Sequence, residues 1–196
     1  MLCSSAVPRP QVKGAWLRCG LTLPSSGPTP AGFASLRGPL KSNVRLHTAM
    51  SPSIALRAPR SVDAGLFYDV TEQTMRVHII AAGGAWDEER RREETTEVSL
   101  DHNASVIVVD TVDAGILLVE RSPNEMHLHI LYLFPIFQGL GIGSTLVSSL
   151  QREAAKQQMP LRLKVLKVNP AKGFYERLGF RVQEETEHFF CMQNAT

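Results

Sequence analysis

Six consecutive residues, Gln138-Gly139-Leu140-Gly141-Ile142-Gly143, carry the most chemistry in their order. They follow an apolar run from Leu128 to Pro135 and precede a helical pattern. A strand ended by proline, then a glycine-dense turn, then a helix start, forms a cradle for phosphate. Glycine lets the backbone approach a ligand closely. The first-turn amides of a helix lack internal partners, and its aligned peptide dipoles favour an anion at that end. Two familiar nucleotide fingerprints do not fit. A G-x-G-x-x-G turn would need glycine where Ser144 stands, and a P-loop would need lysine directly after Gly143, where Ser144 follows instead. A glycine-rich β–α turn can also bind nothing, so the surrounding elements decide.

Those elements read as a series of strands and helices. Ser53–Arg57 alternates as a strand, and Ser61 opens a helix expected to run to Ala82 with Leu66, Val70, Met75, Val77 and Ile80 as its apolar positions. Asp87–Glu97 reads as an exposed helix, with Asp87/Arg91 and Glu88/Arg92 spaced i,i+4 and the charge run forming a solvated face. Strands are expected at Ser105–Asp110, Ile116–Glu120 and Met126–Phe134, the first two joined by a turn over residues 111–115. Gly143–Gln157 places Leu146, Val147, Leu150 and Ala154 on one helical face. Leu161–Val168 is a strand, and Asn169-Pro170 starts a short helix that ends at Gly179. Phe180–Val182 and His188–Met192 are the last two strands.

The chain has 196 residues, enough for one domain and a tail. Residues 1–60 hold eight Lys or Arg and no acid, whereas residues 61–196 hold thirteen Lys or Arg and all nineteen acids. Residues 1–50, Pro- and Ser-rich and without hydrophobic periodicity, read as a disordered basic leader or extension, with the folded domain at 51–196. The leader resembles an organelle transit peptide; the competing reading is a dispensable extension before Met50, whose removal leaves activity intact. A cytoplasmic location, or an organelle if the leader targets, follows. The acidic balance of the domain argues against nucleic acid as a partner, and the lack of a long apolar run argues against a membrane. Cys3, Cys19 and Cys191 form no disulfide framework, and Cys191 reads as structural.

Thirty residues past the glycine turn stands Asn169-Pro170-Ala171-Lys172-Gly173-Phe174-Tyr175-Glu176-Arg177-Leu178-Gly179-Phe180. Together the two segments resemble the GNAT superfamily of N-acetyltransferases. Gln138, Gly141 and Gly143 are similar to its Q-x-x-G-x-G/A acetyl-CoA motif, and the second segment to its N-P-A-x-x-x-Y-x-x-L-G-F signature. The resemblance covers roughly residues 53–194. It departs between Pro135 and Gln138, where Ile136 and Phe137 replace the charged residues common in the family and make that part of the mouth apolar.

The resemblance implies an α/β fold with a mostly antiparallel, twisted sheet, flanked by helices, whose two central strands splay apart. Here these would be Met126–Phe134 and Leu161–Val168. It implies acetyl-CoA as co-substrate, with no metal, and direct transfer of acetyl to a primary amine of a small molecule or peptide. The alternative is a non-catalytic acyl-CoA-binding regulatory module. The pantetheine arm would pair with backbone near Leu131 and Leu133. The pyrophosphate would rest on the amides of Gly139, Leu140, Gly141, Ile142, Gly143 and Ser144, with Gln138 setting the loop and with Asn169 and Lys172 as further cofactor contacts.

The chemistry needs a neutral amine, yet a lysine-like amine of pKa about 10.4 is neutral only about once in 10³ near pH 7. A base or a water chain to one is therefore useful, as is a proton donor for the leaving thiolate. Tyr175 matches the family's acid position, the competing reading being a tyrosine that only packs. His127 and His129, on one side of their strand, are the base candidates, the competing reading being partly exposed strand residues. Trp86, Glu120 and Glu125 are acceptor-site candidates. A zinc site at His127 and His129 lacks further ligands nearby in sequence. A monomer or homodimer is expected.

Overall fold

Whether alternating apolar residues bury one face or two depends on what covers them, and here helices cover both. The computed structural model describes residues 52–194; the expected basic leader, residues 1–50, lies outside the described residues. Seven strands form one sheet: β1 (Ile54–Arg57), β2 (Ala104–Val109), β3 (Val112–Arg121), β4 (Met126–Leu133), β5 (Leu161–Leu166), β6 (Phe180–Glu185) and β7 (Phe189–Asn194). Their spatial order is β1-β2-β3-β4-β5-β7-β6, antiparallel throughout except between β4 and β5. Helices α1 (Ala64–Ala81) and α2 (Glu88–Ser99) pack Phe67, Val70 and Val98 against Val106, Ile116, Leu118 and Ile130. On the other face, α3 (Ile142–Lys156) packs Leu146, Val147, Leu150 and Ala154 against Leu117, Leu128, Leu163 and Met192, and α4 (Ala171–Arg177) adds Phe174 and Tyr175. The mixed, mostly antiparallel, helix-flanked sheet implied by the family resemblance is the fold.

Three details differ from the sequence expectations. The β2–β3 turn is two residues, Asp110-Thr111, both left-handed at φ 46° and 75°. Residues 112–115, expected in the turn, are already strand. Two left-handed residues match the twist of a tight hairpin. The Asp110 side chain accepts from the Ser53 amide at 2.8 Å and so holds β1 in place. In α1, Val77 and Ile80 are exposed, while Thr71 is buried beside Phe67 and Val70; a count of apolar residues alone misplaces the inward face. In α2 the charge run is not uniformly solvated. Arg91 is buried, with its Nη1 2.6 Å from Glu94, and its guanidinium lies 5.5 Å over the Trp86 ring.

Asp63 is a buried charge at the sheet edge. Its carboxylate accepts two bonds from the Arg57 guanidinium (2.6 and 3.1 Å) and one from the Arg60 amide (2.6 Å), while Arg57 also pairs with Asp113. Arg57 holds the Asp63 carboxyl well below the usual carboxylate range. A depressed folded pKa means that this stabilisation is complete above the unfolded value, about 4, and drains away as pH falls below it. Asp63→Asn should therefore cost about 2 kcal/mol at pH 7, because it weakens charge-assisted bonds to Arg57 and the Arg60 amide while Asp113 still holds Arg57. Urea midpoints at pH 7 and pH 2.5 check this; the gap between wild type and variant should shrink at the lower pH.

Candidate active site

The cleft begins where β4 and β5 part. They pair only at Met126↔Leu161, His127↔Arg162 and Leu128↔Leu163. Beyond that, β4 stays bound to β3 as far as Leu133↔Gly115, and β5 stays bound to β7 as far as Leu166↔Phe189. The Phe134 amide donates to Ala114 on the β3 side (2.9 Å). Backbone groups alternate along a strand, so those of Leu131 and Leu133 face the gap. Gln138 Nε2 donates to the Leu133 carbonyl at 2.8 Å. That carbonyl is therefore engaged with the turn. The remaining open-edge groups are the Leu131 N–H and C=O and the Leu133 N–H.

A bulge marks the fork. Leu118 pairs with Ile130 and Val119 with Leu128, which leaves His129 as an extra residue. Ahead of it, Met126 and Leu128 face the α3 core; past it, Leu131 and Leu133 face that core while Ile130 and Tyr132 face α1 and α2. Gly115, opposite Leu133, has no room for a side chain. A Cβ there would strike the Tyr132 carbonyl oxygen and lie 2.9 Å from Leu133 Cα.

At the mouth, a short turn at Pro135–Phe137 leads to Gln138, and Gly139 and Gly141 take left-handed φ of 74° and 80°. A Cβ at either would meet nothing within 4 Å. These glycines are thus set by backbone conformation, and the space above them is open. The first bond of α3 runs from the Thr145 amide to Gly141 (3.0 Å), so the amides of Ile142, Gly143 and Ser144 are the free first-turn donors. Gly139, Gly141, Ile142, Gly143 and Ser144 line the cleft, while Leu140 points outward, 60% exposed. Ile136 is 79% exposed, and Phe137 lines the cleft, which keeps this rim apolar.

At the start of α4, the Asn169 carboxamide oxygen accepts from the Ala171 amide (2.9 Å), so the expected cap is present, and its Nδ2 lies 3.8 Å from Met75 Sδ. Tyr175 is 9% exposed, edge-on to Phe174 (5.0 Å) and Phe180 (5.6 Å). Its hydroxyl makes no hydrogen bond among the described residues, and the side chain lines the cleft. Burial, reinforced by the nearby Tyr132 phenol, raises its pKa above the ordinary tyrosine value.

His127 and His129 do share a side, with ring centroids 4.2 Å apart. His129 Nε2 meets Glu120 Oε2 at 3.0 Å. A carboxylate only accepts, so Nε2 carries the proton and Nδ1 of neutral His129 keeps a lone pair. His127 is the more buried of the two. Burial, then the charges of His129 and Lys164, push it down to about 4, and its Nδ1 is buried without a partner among the described residues. Glu125 is turned to Arg162 at 2.8 Å and does not line the cleft. Trp86 lies behind the wall, 6.5 Å from the Tyr68 ring. Lys172 is engaged with Glu176 (2.8 Å) and the Phe190 ring (4.9 Å) and is also outside the lining.

Three lining residues carry no signal as site residues in the sequence. Tyr132 is half-buried, its phenol raised to about 12 by burial, the nearby Arg91 acting in the opposite sense. Lys164 on β5 and Arg177 on α4 line the cleft with no acidic partner among the described residues. A strand lysine or a helix-end arginine reads as solvated surface; only the fork brings them to one cavity.

The forked sheet with a glycine turn at its opening is the architecture of N-acetyltransferases. The family model described as an acetyltransferase (GNAT) domain matches residues 71–190, and the chain belongs to that family. Solved structures agree in fold. The PaiA N-acetyltransferase from Thermoplasma acidophilum, in complex with coenzyme A, aligns with TM-score 0.59 at 21% identity, over 74% of this chain and 99% of that one. An acetyltransferase from Thermus thermophilus aligns at 0.56 and 22%, over 72% and 96%. Arabidopsis thaliana Naa50, in complex with the bisubstrate analogue CoA-Ac-MVNAL, aligns at 0.50 and 15%, over 74% and 99%. No curated protein matches the sequence.

Proposed function

We propose that the chain transfers acetyl from acetyl-CoA to a primary amine of a small molecule or a peptide, directly, with both substrates in the cleft together. The observation that carries this reading is the open edge of β4 running from the fork to a glycine turn. An extended amide-bearing arm can complete a sheet there as a surrogate strand, and a diphosphate fits the free amides at the start of α3. The cleft encloses about 1790 Å³, well above the ~300–1,000 Å³ of a usual ligand pocket, which suits two substrates. Two relatives of the same fold were solved with coenzyme A or a CoA conjugate.

When bound, acetyl-CoA would supply an activated acyl group; the chain's own residues do the rest. Leu131 and Leu133 would hold the pantetheine amides and aim the thioester at the fork. Gly139 to Ser144 would hold the pyrophosphate, and Gln138, tied to Leu133, keeps that turn in register with β4. The Arg177 guanidinium, folded back to 3.6 Å from the position of a Gly173 Cβ, adds positive charge on the α4 side of the cleft. An N–H of the open β4 edge would face charge developing on the carbonyl oxygen. His129 Nδ1, its ring fixed by Glu120, would accept the amine proton directly or through water. Tyr175 would donate to the departing sulfur.

Titration calorimetry with CoA, followed by a thiol-release assay over polyamines, amino acids, aminoglycosides and peptide amines, tests the proposal; absence of CoA binding would sink it. Gly141→Ala should weaken CoA binding about tenfold or more, because a non-glycine residue at φ 80° costs about 1 kcal/mol and its methyl enters the cradle. The melting temperature should drop by only a few degrees, and calorimetry on the folded variant reads the affinity.

A further inference from the structure

The two residues that first stand apart as the strands diverge carry opposite electrostatic tasks. On β4 that residue is His129, held by Glu120; on β5 it is Lys164, one place beyond the last paired position Leu128↔Leu163. Leu163 and Val165 on either side of Lys164 are buried in the α3 core, so strand alternation turns Lys164 to the opposite side of the sheet. His127 and His129 stand on that side, and the Lys164 charge is felt at His127. Its neighbours on the sheet do not neutralise it. Arg162, one alternation away, is paired with Glu125, and in register on β7 is the uncharged Cys191. Lys167, further along the chain, is paired with Glu185. The row has an acid at one end (Glu120) and, at the other, an ammonium with no acidic partner among the described residues (Lys164). With two imidazoles between, it would suit a ligand carrying both charges.

We infer that the acceptor is an amine that also carries a carboxylate, a short amino acid, with the amine delivered to His129–Glu120 and the carboxylate held by Lys164. This rests on the acetyltransferase reading and sharpens it. His129 and Lys164 stand one place past the last paired position, where the gap opens from the roughly 5 Å of paired strands, so amine and carboxylate are separated by a few bonds or more. The Lys164 charge also makes the site unfavourable for polyamines, whose second cation would fall beside it.

The test compares glycine, β-alanine and 4-aminobutyrate with their amides and with putrescine, as substrates in acetyl-CoA thiol release and as ligands of the protein–CoA complex by calorimetry. Acids should exceed amides by at least about tenfold in kcat/KM. Lys164→Met, at a surface position, should remove that preference by raising KM for the acids about tenfold, with a far smaller change for the amides. Equal rates for acids and amides, or equal losses for both in Lys164→Met, would overturn the inference and leave the transferase reading standing. If no amine releases thiol, binding decides. Acids that bind the CoA complex in a Lys164-dependent way keep the carboxylate site and overturn the transferase reading. Acids that bind no better than amides overturn the inference.

Discussion

Tyr175→Phe should lower kcat about 100-fold while leaving CoA affinity within about twofold, the range expected when a general acid is removed without loss of shape. The ring makes the packing contacts, to Phe174 and Phe180, and phenylalanine keeps them. The hydroxyl has no partner among the described residues, so its removal strands no other group and should change the melting temperature little. Burial raises the phenol's pKa above its ordinary value of about 10. The proton therefore stays in place through neutral and mildly alkaline pH, and no alkaline loss of rate below about pH 10 should trace to Tyr175. A sensor that only binds acyl-CoA would show the same CoA titration for both proteins and no turnover in either. Timed thiol release paired with calorimetry separates the two. Unchanged kcat in the variant would remove Tyr175 from the mechanism.

The second large effect is on the fold. Gly115→Ala should destabilise by roughly 3 kcal/mol or more, among the larger costs of a single small substitution. The added methyl would drive into the Tyr132 carbonyl and against Leu133 Cα, both of them backbone, which cannot rotate away as a side chain can. Relief requires pushing β4 off β3, next to the gap that receives the ligand. Urea unfolding should show a lower midpoint, and the folded remainder should bind CoA more weakly. By contrast Gly65→Ala, where a Cβ meets nothing within 4 Å within α1, should be neutral or mildly stabilising, since alanine favours helix. A Gly115→Ala protein as stable as wild type would show that the hairpin has slack.

The two motifs are legible in the sequence because each rests on a backbone requirement. Left-handed turns at Gly139, Gly141 and Gly179 and a capped start at Asn169 write themselves into residue type. The amphipathic face of α3 is legible for the same reason. The fork is not: β4 and β5 read as two ordinary apolar strands, and only the family resemblance implies their divergence. The hairpin turn escapes a sequence reading because Thr111, β-branched, is an unusual occupant of left-handed space. Arg91 reads as solvated because burial of an arginine depends on tertiary neighbours, here Glu94 and Trp86. Position in sequence places Lys172, Glu125 and Trp86 near the site, and each is turned to a partner elsewhere. Lys164 and Arg177 illustrate the converse, since their isolation from acids appears only once every neighbour has been placed.

β4 is sensitive to parity in a way the loops are not, and His129, its surplus residue, is where that sensitivity is relieved. Removing His129 itself would restore a regular two-residue rhythm with every downstream side chain on its present side, whereas removing one amino acid between Ile130 and Leu133 would turn the residues after the cut to the opposite face. A loop could absorb the same deletion by shortening. Homologous chains of this architecture should therefore vary in length between α1 and α2 or between β6 and β7, and hold their count fixed from Ile130 to Leu133.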